Sequence, residues 1–261
     1  MGFYIGKKMI KLPVLIATCN TPLVTSLTVC SYKLYNIIDS EIHIGSAVNE
    51  TKMHKIFNIV SLTEKTHQCN INDHGYILNQ LYKDCVTEND SFFLIVDSDI
   101  EFLKHGYVEK MINLLKSNKN HYCATSGHLD FAYAIYYPRI QPFVCLFRND
   151  KMIQRAMRLI GMSGCRSQTP SVYNPKTCTY DVASLISNCM DVAGRTVGVL
   201  PDDNEFNHLS GSSHRNRNNQ NHLNYCFNKL KDYINIVFPS PIKENKIGSL
   251  AEINNKKVLF I

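Results

Sequence analysis

Residues 92–99 read Phe92-Phe-Leu-Ile-Val-Asp-Ser-Asp99, an uninterrupted apolar run that ends in two aspartates. A run that is apolar on both faces is typical of a central strand in a parallel sheet. Ligands of such sheets bind beyond the carboxyl ends of the strands. Because residues two apart point to the same side of an extended chain, Asp97 and Asp99 are predicted to face one ligand across Ser98.

Two carboxylates at this position are hard oxygen ligands, which suit Mn²⁺ or Mg²⁺. We therefore expect a divalent-metal site on Asp97 and Asp99, with coordination positions left open for a substrate diphosphate. The alternative is an ordinary acidic turn, in which Asp99 only caps the helix that follows.

The chain around this strand alternates short apolar runs with segments of helical periodicity. Strands are predicted at Leu12–Thr18, Glu41–Gly45, Ile56–Leu62 and His121–Ser126, and helices at Leu23–Ile38, Tyr76–Tyr82 and Tyr107–Leu115. Alternation of this kind predicts an α/β fold, with a Rossmann-like, mostly parallel central sheet flanked by helices.

The pattern changes after about Gly127. A strand over Arg139–Phe147 is expected at a sheet edge, because Pro138 and Pro142 suit an edge position. Further along, the sequence predicts a basic helix at Lys151–Ile160, a loop or lid at Gly161–Thr179, a helix at Tyr180–Ala193, a strand at Thr196–Leu200 and a polar loop at Asp202–Gln220.

Composition narrows the class of protein. The 261 residues are 44% hydrophobic and 19% charged, which excludes a disordered chain, a collagen-like fibre and a small disulfide scaffold. The net charge of +6 is mild, and it favours an anionic ligand over a nucleic-acid duplex. The ten cysteines include no Cys-x-x-Cys pair, and half of them lie in or beside apolar runs, so we expect reduced thiols.

Targeting signals are weak in this sequence. The first eleven residues lack an apolar core of signal-peptide length, and no window approaches 18 uninterrupted apolar residues. We expect a cytoplasmic protein. The helix Lys151–Ile160 is basic and amphipathic, so peripheral membrane contact stays open beside packing of this helix against its own domain.

Several separated segments together resemble a known family. They are Val14–Asn20, His74–Asn79, Phe92–Asp99, Tyr180–Asp181, Leu200–Pro201 and Phe206–Ser213. Their order over residues 12–215 resembles GT-A-fold glycosyltransferases, in particular the inverting family 2 group with an Asp-x-Asp metal site.

The resemblance implies a single GT-A domain over residues 1–261. Residues 12–126 would form the nucleotide-sugar-binding half, residues 127–220 the acceptor-side half and lid, and residues 221–261 a C-terminal tail. The implied reaction moves a sugar from a nucleotide-diphosphate donor, UDP-linked by default, to a hydroxyl group with inversion. The acceptor would be a saccharide, a lipid-linked glycan, a peptide or a small molecule, and no nucleic-acid partner is expected.

The resemblance also assigns site residues. Donor binding falls to residues of the matched segments, to Arg215 just after the last of them and to Asn49 after the second strand: Thr18, Asn20, Asn49, His74, Gly75, Asp97, Ser98, Ser213 and Arg215. The metal ligands would be Asp97, Asp99 and His208, although a lone histidine in a polar loop is often only solvated. The polar segment 210–221 contains Arg215 and Arg217, which could close over the phosphates as a lid, or it is a polar loop without a role.

The catalytic base is implied at Asp181, ahead of its helix, because an inverting mechanism needs a carboxylate near the acceptor. The helix dipole would stabilise such an aspartate even without catalysis. Asp202, Asp203 and Glu205 compete for the role. The second strand departs from the family pattern, since Ser46 or Asn49 stands where an aspartate often contacts the nucleotide.

Three alternatives remain. A sugar nucleotidyltransferase would usually carry a glycine-rich, basic phosphate loop after the first strand, whereas Ala17–Pro22 contains neither glycine nor a basic residue. A non-catalytic nucleotide- or carbohydrate-binding module would tolerate replacement of both aspartates. Single-stranded nucleic-acid binding would favour aromatic residues among the basic ones, which the sequence around Arg215 lacks.

Overall fold

The computed structural model describes residues 11–18, 21–46, 65–68, 74–126, 140, 143–162, 165–167, 178–180, 182–201, 204–209, 219–237, 249–253 and 256–260. The helices in these ranges are α1 (Pro22–Tyr35), α2 (His74–Cys85), α3 (Tyr107–Ser117), α4 (Lys151–Leu159), α5 (Ser184–Val192) and α6 (Gln220–Val237). The strands are β1 (Leu12–Thr18), β2 (Ser40–Ser46), β3 (Lys65–Gln68), β4 (Phe92–Asp97), β5 (Ile100–Phe102), β6 (His121–Thr125), β7 (Val144–Arg148), β8 (Cys165–Ser167), β9 (Cys178–Tyr180), β10 (Thr196–Val199), β11 (Phe206–His208), β12 (Ser249–Ile253) and β13 (Lys256–Phe260).

A seven-stranded sheet organises the described residues, in the order β10-β6-β7-β4-β1-β2-β3. Neighbouring strands run parallel except at β7, which is antiparallel to both β4 and β6. All seven residues of β1 are buried, as expected for a strand between two others. The predicted α/β class with a mostly parallel, helix-flanked sheet is confirmed.

Alternate residues of the central strands supply two different cores. Leu15 of β1 belongs to a buried cluster that includes Ile77 of α2, whereas Val14 belongs to the opposite cluster with Tyr32 of α1. The close approach of α2 depends on Gly45 in β2. A Cβ atom at position 45 would lie 2.4 Å from the Cγ2 atom of Ile77, closer than packed atoms tolerate.

The structure contradicts two of the sequence predictions and changes the first residue of a predicted helix. The predicted edge position of Arg139–Phe147 is wrong, because β7 lies inside the sheet between β4 and β6. Both prolines precede the first residue of β7, so every residue of the strand itself keeps its backbone N–H for the ladder. The predicted helix Tyr180–Ala193 begins later, at Ser184, and residues 178–180 instead form β9.

The predicted polar loop Asp202–Gln220 is the second correction, because it contains β11, which pairs antiparallel with β5. Three residues are too few to show a period, so the sequence alone gives no strand signal there. The predicted third strand, Ile56–Leu62, lies outside the described residues. Beyond β2, the outermost strand of the described sheet is β3, at Lys65–Gln68.

The longest helix, α6, packs against α1. Val24, Leu27 and Cys30 of α1 share a buried cluster with Cys226 and Leu230 of α6. None of the helices within the described ranges is both long and apolar enough to cross a membrane.

Candidate active site

The central strand β4 carries the first aspartate to the carboxyl edge of the sheet. Asp97 is its last residue, opposite Ala17 of β1, and the backbone N–H of Asp97 donates to the Phe143 carbonyl oxygen at 2.8 Å. The four preceding residues are fully buried, which fixes the direction of the strand. The Asp97 side chain is 16% exposed, so its carboxylate lies at the boundary between the core and solvent.

The second aspartate follows in a turn that β5 and β11 hold in place. His208 pairs with Ile100 in the antiparallel ladder, and the Leu209 backbone N–H donates to the Asp99 carbonyl oxygen at 2.8 Å. This register places His208 Nε2 3.3 Å from Asp99 Oδ1. One potential ligand atom each from Asp97, Asp99 and His208 lies within 4.8 Å of the other two.

Helix α1 supports this turn with buried hydroxyl groups. Thr28 Oγ1 accepts a hydrogen bond from the Ile100 backbone N–H at 3.1 Å and lies 3.0 Å from the Ser98 carbonyl oxygen, to which it donates. Ser31 Oγ accepts from the Phe102 backbone N–H at 3.1 Å. Because both hydroxyls are fully buried, they fix the turn without competition from water.

The predicted donor-binding residue Thr18 ends β1 beside this turn. Its side chain is 2% exposed, and its hydroxyl lies 2.8 Å from Thr25 Oγ1 and 3.1 Å from Thr21 Oγ1. The hydroxyl is therefore committed to a buried network with α1. A contact from Thr18 to a donor would have to come from its backbone, and that contact stays a prediction.

The start of α2 approaches the same carboxylate edge. His74 is the first residue of this helix and is followed by the buried Gly75. His74 Nε2 lies 3.4 Å from Asp97 Oδ1, and its side chain is 37% exposed. The structure therefore brings both predicted histidines, His74 and His208, next to the acidic pair.

The protonation of His208 reflects these carboxylates. Burial alone would lower the pKa of His208, but the hydrogen bond that His208 donates to Asp99 and the negative charges of Asp99 and Asp97 raise it above 6.5. The Phe143 ring lies against the imidazole, with 4.0 Å between ring centroids, and limits its orientation. The two carboxylates are hard oxygen ligands of the kind that Mn²⁺ and Mg²⁺ prefer, and the imidazole is a third potential ligand beside them.

Five of the residues predicted for the site lie outside the described residues. They are Asn20, Asn49, Asp181, Ser213 and Arg215. Among the competitors of Asp181 for the base, Asp202 and Asp203 also lie there. Glu205 is described, is buried, and pairs with Lys110 Nζ at 2.6 Å, so the structure gives it a structural partner.

One carboxylate next to the site, Glu101, was not predicted from the sequence. Glu101 is fully buried two residues after Asp99, and it accepts hydrogen bonds from the hydroxyls of Tyr225 at 2.5 Å and Tyr233 at 2.7 Å. Burial and the hydrogen bond to Glu101 raise the pKa of Tyr225 to about 12, so this phenol stays protonated as a donor. Both tyrosines belong to α6, which Glu101 therefore anchors behind the acidic pair.

Comparisons with known proteins identify the fold. No protein-family model matches the sequence, and no curated protein matches it by sequence. Solved structures do match. S. aureus TarS 1-349 aligns with TM-score 0.52 and 11% identity, over 97% of this chain and 99% of that one. A putative nucleotide-diphospho-sugar transferase from Desulfovibrio desulfuricans G20 aligns with TM-score 0.51 and 14% identity, over 86% and 99%.

A third solved structure is the mannosyltransferase PcManGT from Pyrobaculum calidifontis, in complex with GDP-Man and Mn²⁺. It aligns with TM-score 0.51 and 11% identity over 74% of this chain. The present chain spans 55% of the length of that protein. At such identities the likeness concerns the fold alone. The chain therefore has the GT-A-like fold of nucleotide-diphospho-sugar transferases, with Asp97, Asp99 and His208 gathered at the carboxyl end of its central strand.

Proposed function

We propose that the chain is a metal-dependent glycosyltransferase that uses a nucleotide-diphosphate sugar, UDP-linked by default, and inverts the anomeric centre. One observation carries the proposal: in a GT-A-like fold, two carboxylates and an imidazole converge at the carboxyl end of the central strand, with ligand atoms within 4.8 Å of one another. Open α/β sheets bind their ligands at this edge. The likeness to a mannosyltransferase in complex with GDP-Man and Mn²⁺ supports a nucleotide-diphosphate sugar as the donor and a divalent ion as the metal, without favouring UDP.

The residues of the cluster fit the cofactor. Asp97, Asp99 and His208 would hold Mn²⁺ or Mg²⁺, because the two carboxylates are ligands that suit these ions and the imidazole adds a third donor atom. A divalent ion bound there acts as a Lewis acid that neutralises charge on the leaving diphosphate. His208 would deliver its nitrogen as a neutral imidazole, so metal binding displaces a proton that the two carboxylates otherwise favour.

The surrounding elements would keep these ligands in a fixed geometry. The β5–β11 ladder sets the separation of Asp99 and His208. The Thr28 hydroxyl holds the turn after β4 through its hydrogen bond with the Ile100 N–H. Preorganised ligands need no rearrangement when charge develops in the transition state. His74 Nε2, beside Asp97, would donate to a phosphate oxygen of the donor or hold the carboxylate in place.

The remaining roles follow from the resemblance alone. We assign the acceptor-side base to Asp181 and donor contacts to Gly75, Ser98, Asn20 and Asn49. Ser213 and Arg215 are further donor contacts in this proposal. The acceptor is proposed to be a saccharide, a lipid-linked glycan, a peptide or a small molecule.

Nucleotide binding tests the donor site. We would measure the thermal unfolding of the protein with UDP, GDP, CDP and dTDP, each with and without Mn²⁺. A nucleotide at about 100 times its dissociation constant should stabilise the fold by about 2.7 kcal/mol. We expect one nucleotide to stabilise the wild type only when Mn²⁺ is present, and to have no effect on Asp99→Asn.

The matched control is Asp232→Asn, which removes an exposed aspartate of α6 and should keep the full shift. If no nucleotide raises the unfolding temperature under any condition, the donor site is wrong and the acidic pair is a turn. If nucleotides bind equally well to Asp99→Asn, the site binds them without the metal cluster, and the metal-dependent mechanism is wrong.

A further inference from the structure

Three metal-ligating side chains meet at the opposite end of the sheet from β10, on the face covered by α2. His43 lies in β2, His67 lies in β3, and Cys85 is the last residue of α2. Gly45 faces α2, since a Cβ atom there would contact Ile77. His43 shares that side of β2 because it is two residues away, and His67 shares it because it pairs with Gly45 in the parallel register.

The distances within this group, which we call the edge cluster, are short. His43 Nδ1 lies 3.4 Å from His67 Nε2, and Cys85 Sγ lies 3.5 Å from the same nitrogen. One ligand atom of each residue lies within 4.8 Å of the other two. His43 is 3% exposed, and the other two side chains are half-buried.

These separations match the coordination geometry of zinc. Zinc binds imidazole nitrogen at about 2.0–2.1 Å and thiolate sulfur at about 2.3 Å with tetrahedral angles. Such bonds separate two nitrogen ligands by about 3.3 Å, and a nitrogen from a sulfur by about 3.6 Å. The observed 3.4 and 3.5 Å agree with these two separations, and the third pair of ligand atoms lies within 4.8 Å.

The Glu41 carboxylate lies near the second ring nitrogen of His43. Glu41 Oε1 lies 3.9 Å from His43 Nε2, the ring nitrogen that does not face His67. Zinc-binding histidines commonly direct their second ring nitrogen toward a carboxylate, which orients the ring and raises its basicity. Glu41 is two residues before His43 on the same side of β2, so the strand keeps this carboxylate beside the ring, at a separation longer than a hydrogen bond.

We propose that the edge cluster is a zinc site in which His43, His67 and Cys85 are the protein ligands. A thiolate with two imidazoles favours zinc over Mn²⁺ or Mg²⁺, so this site differs in metal from the acidic cluster on β4 and β11. Three ligands leave a fourth coordination position for water or another donor. The ion would cross-link β3, the four-residue strand at the end of the sheet next to β2, to β2 and to the last residue of α2.

Cobalt(II) binding tests the proposal, because cobalt replaces zinc in tetrahedral sites and gives a charge-transfer band only with a thiolate ligand. The titration uses the Asp99→Asn protein, in which the acidic cluster is disabled. We expect one equivalent of cobalt to bind with this band, and added zinc to displace it. Cys85→Ser should lose the band, whereas Cys189→Ser, which removes another half-buried thiol, should keep it.

Two further measurements keep the test independent of folding defects. In the wild-type protein, bound zinc should protect Cys85 from alkylation, as followed by mass spectrometry. Glu41→Gln should lower the zinc affinity by about 10-fold while leaving the cobalt band in place. The proposal is overturned if the band is absent, if it survives Cys85→Ser, or if zinc leaves the alkylation of Cys85 unchanged. The three side chains would then form only a hydrogen-bonded chain.

Discussion

Replacing Thr28 with valine removes a hydroxyl that holds the turn after β4 and leaves the shape of the side chain nearly unchanged. In the wild type, this hydroxyl accepts from the Ile100 N–H and donates to the Ser98 carbonyl oxygen. Thr28 and Ile100 are fully buried, so water cannot replace the hydroxyl as the acceptor for the Ile100 N–H. Leaving a buried donor unsatisfied costs about 1–3 kcal/mol, and we take about 2 kcal/mol as the expected loss.

The loss should appear both in stability and in the site. Unfolding in urea should give a free energy lower by about 2 kcal/mol, which corresponds to roughly 4–8 °C in unfolding temperature for a chain of this size. The affinity for Mn²⁺ with nucleotide should fall as well, because Asp97 and Asp99 flank the released Ser98 carbonyl.

The matched control is Thr196→Val, which removes a hydroxyl that is exposed and lies 2.8 Å from His121 Nδ1. Surface substitutions of this kind usually change stability by no more than about 0.5 kcal/mol. If Thr28→Val costs no more than Thr196→Val, the buried hydroxyls of α1 do not support the turn, and the reasoning is refuted.

Three further predictions concern the site and its supports. In metal-free protein the raised pKa of His208 adds stability that is complete below pH 6.5 and is lost as the pH rises through the folded-state pKa. His208→Gln should flatten this dependence in urea titrations at several pH values, and an unchanged slope would contradict the assignment. Tyr233→Phe removes a donor from buried Glu101 and should cost about 1.5–3 kcal/mol, measured by urea unfolding. Gly45→Ala should cost about 1–3 kcal/mol by overpacking against Ile77. Combining it with Ile77→Ala should cost less than the two changes added together, and strict additivity would show that the two positions do not touch.

Local patterns in the sequence predict the central part of the fold well. The apolar run before Asp97 predicts a buried strand because both of its faces meet apolar layers, and β4 has four fully buried residues in that run. The acidic pair could be placed at the carboxyl edge for the same reason. These features depend on residues close together in the chain, so periodicity reports them.

Features that depend on distant pairing could not be predicted in this way. β11 is a strand only because β5 offers it a partner, and this pairing places His208 beside Asp99. Glu101 is paired with tyrosines more than 120 residues further along the chain. The edge cluster draws on three elements, and the spacing of its residues follows no metal-binding motif.

The interior position of β7 is another feature that depends on pairing with distant strands and that the sequence could not predict. Its sequence shows an apolar strand preceded by prolines, which fits an edge equally well. Only the order of the assembled sheet, with β7 antiparallel between β4 and β6, decides the question. Strand order is a property of the tertiary structure, so local propensity leaves it open.

Release of nucleoside diphosphate from donor sugars tests the central claim most directly. The purified protein would be incubated with UDP-, GDP-, CDP- and dTDP-sugars and Mn²⁺, with and without a mixture of saccharide acceptors. We expect one donor class to be consumed, with release that requires Mn²⁺ and that is lost in Asp99→Asn but kept in Asp232→Asn. Release by Asp99→Asn at the wild-type rate would contradict metal-dependent glycosyl transfer at this site. Metal-dependent binding of a nucleotide without release from any donor or acceptor pair would make the chain a binding module instead.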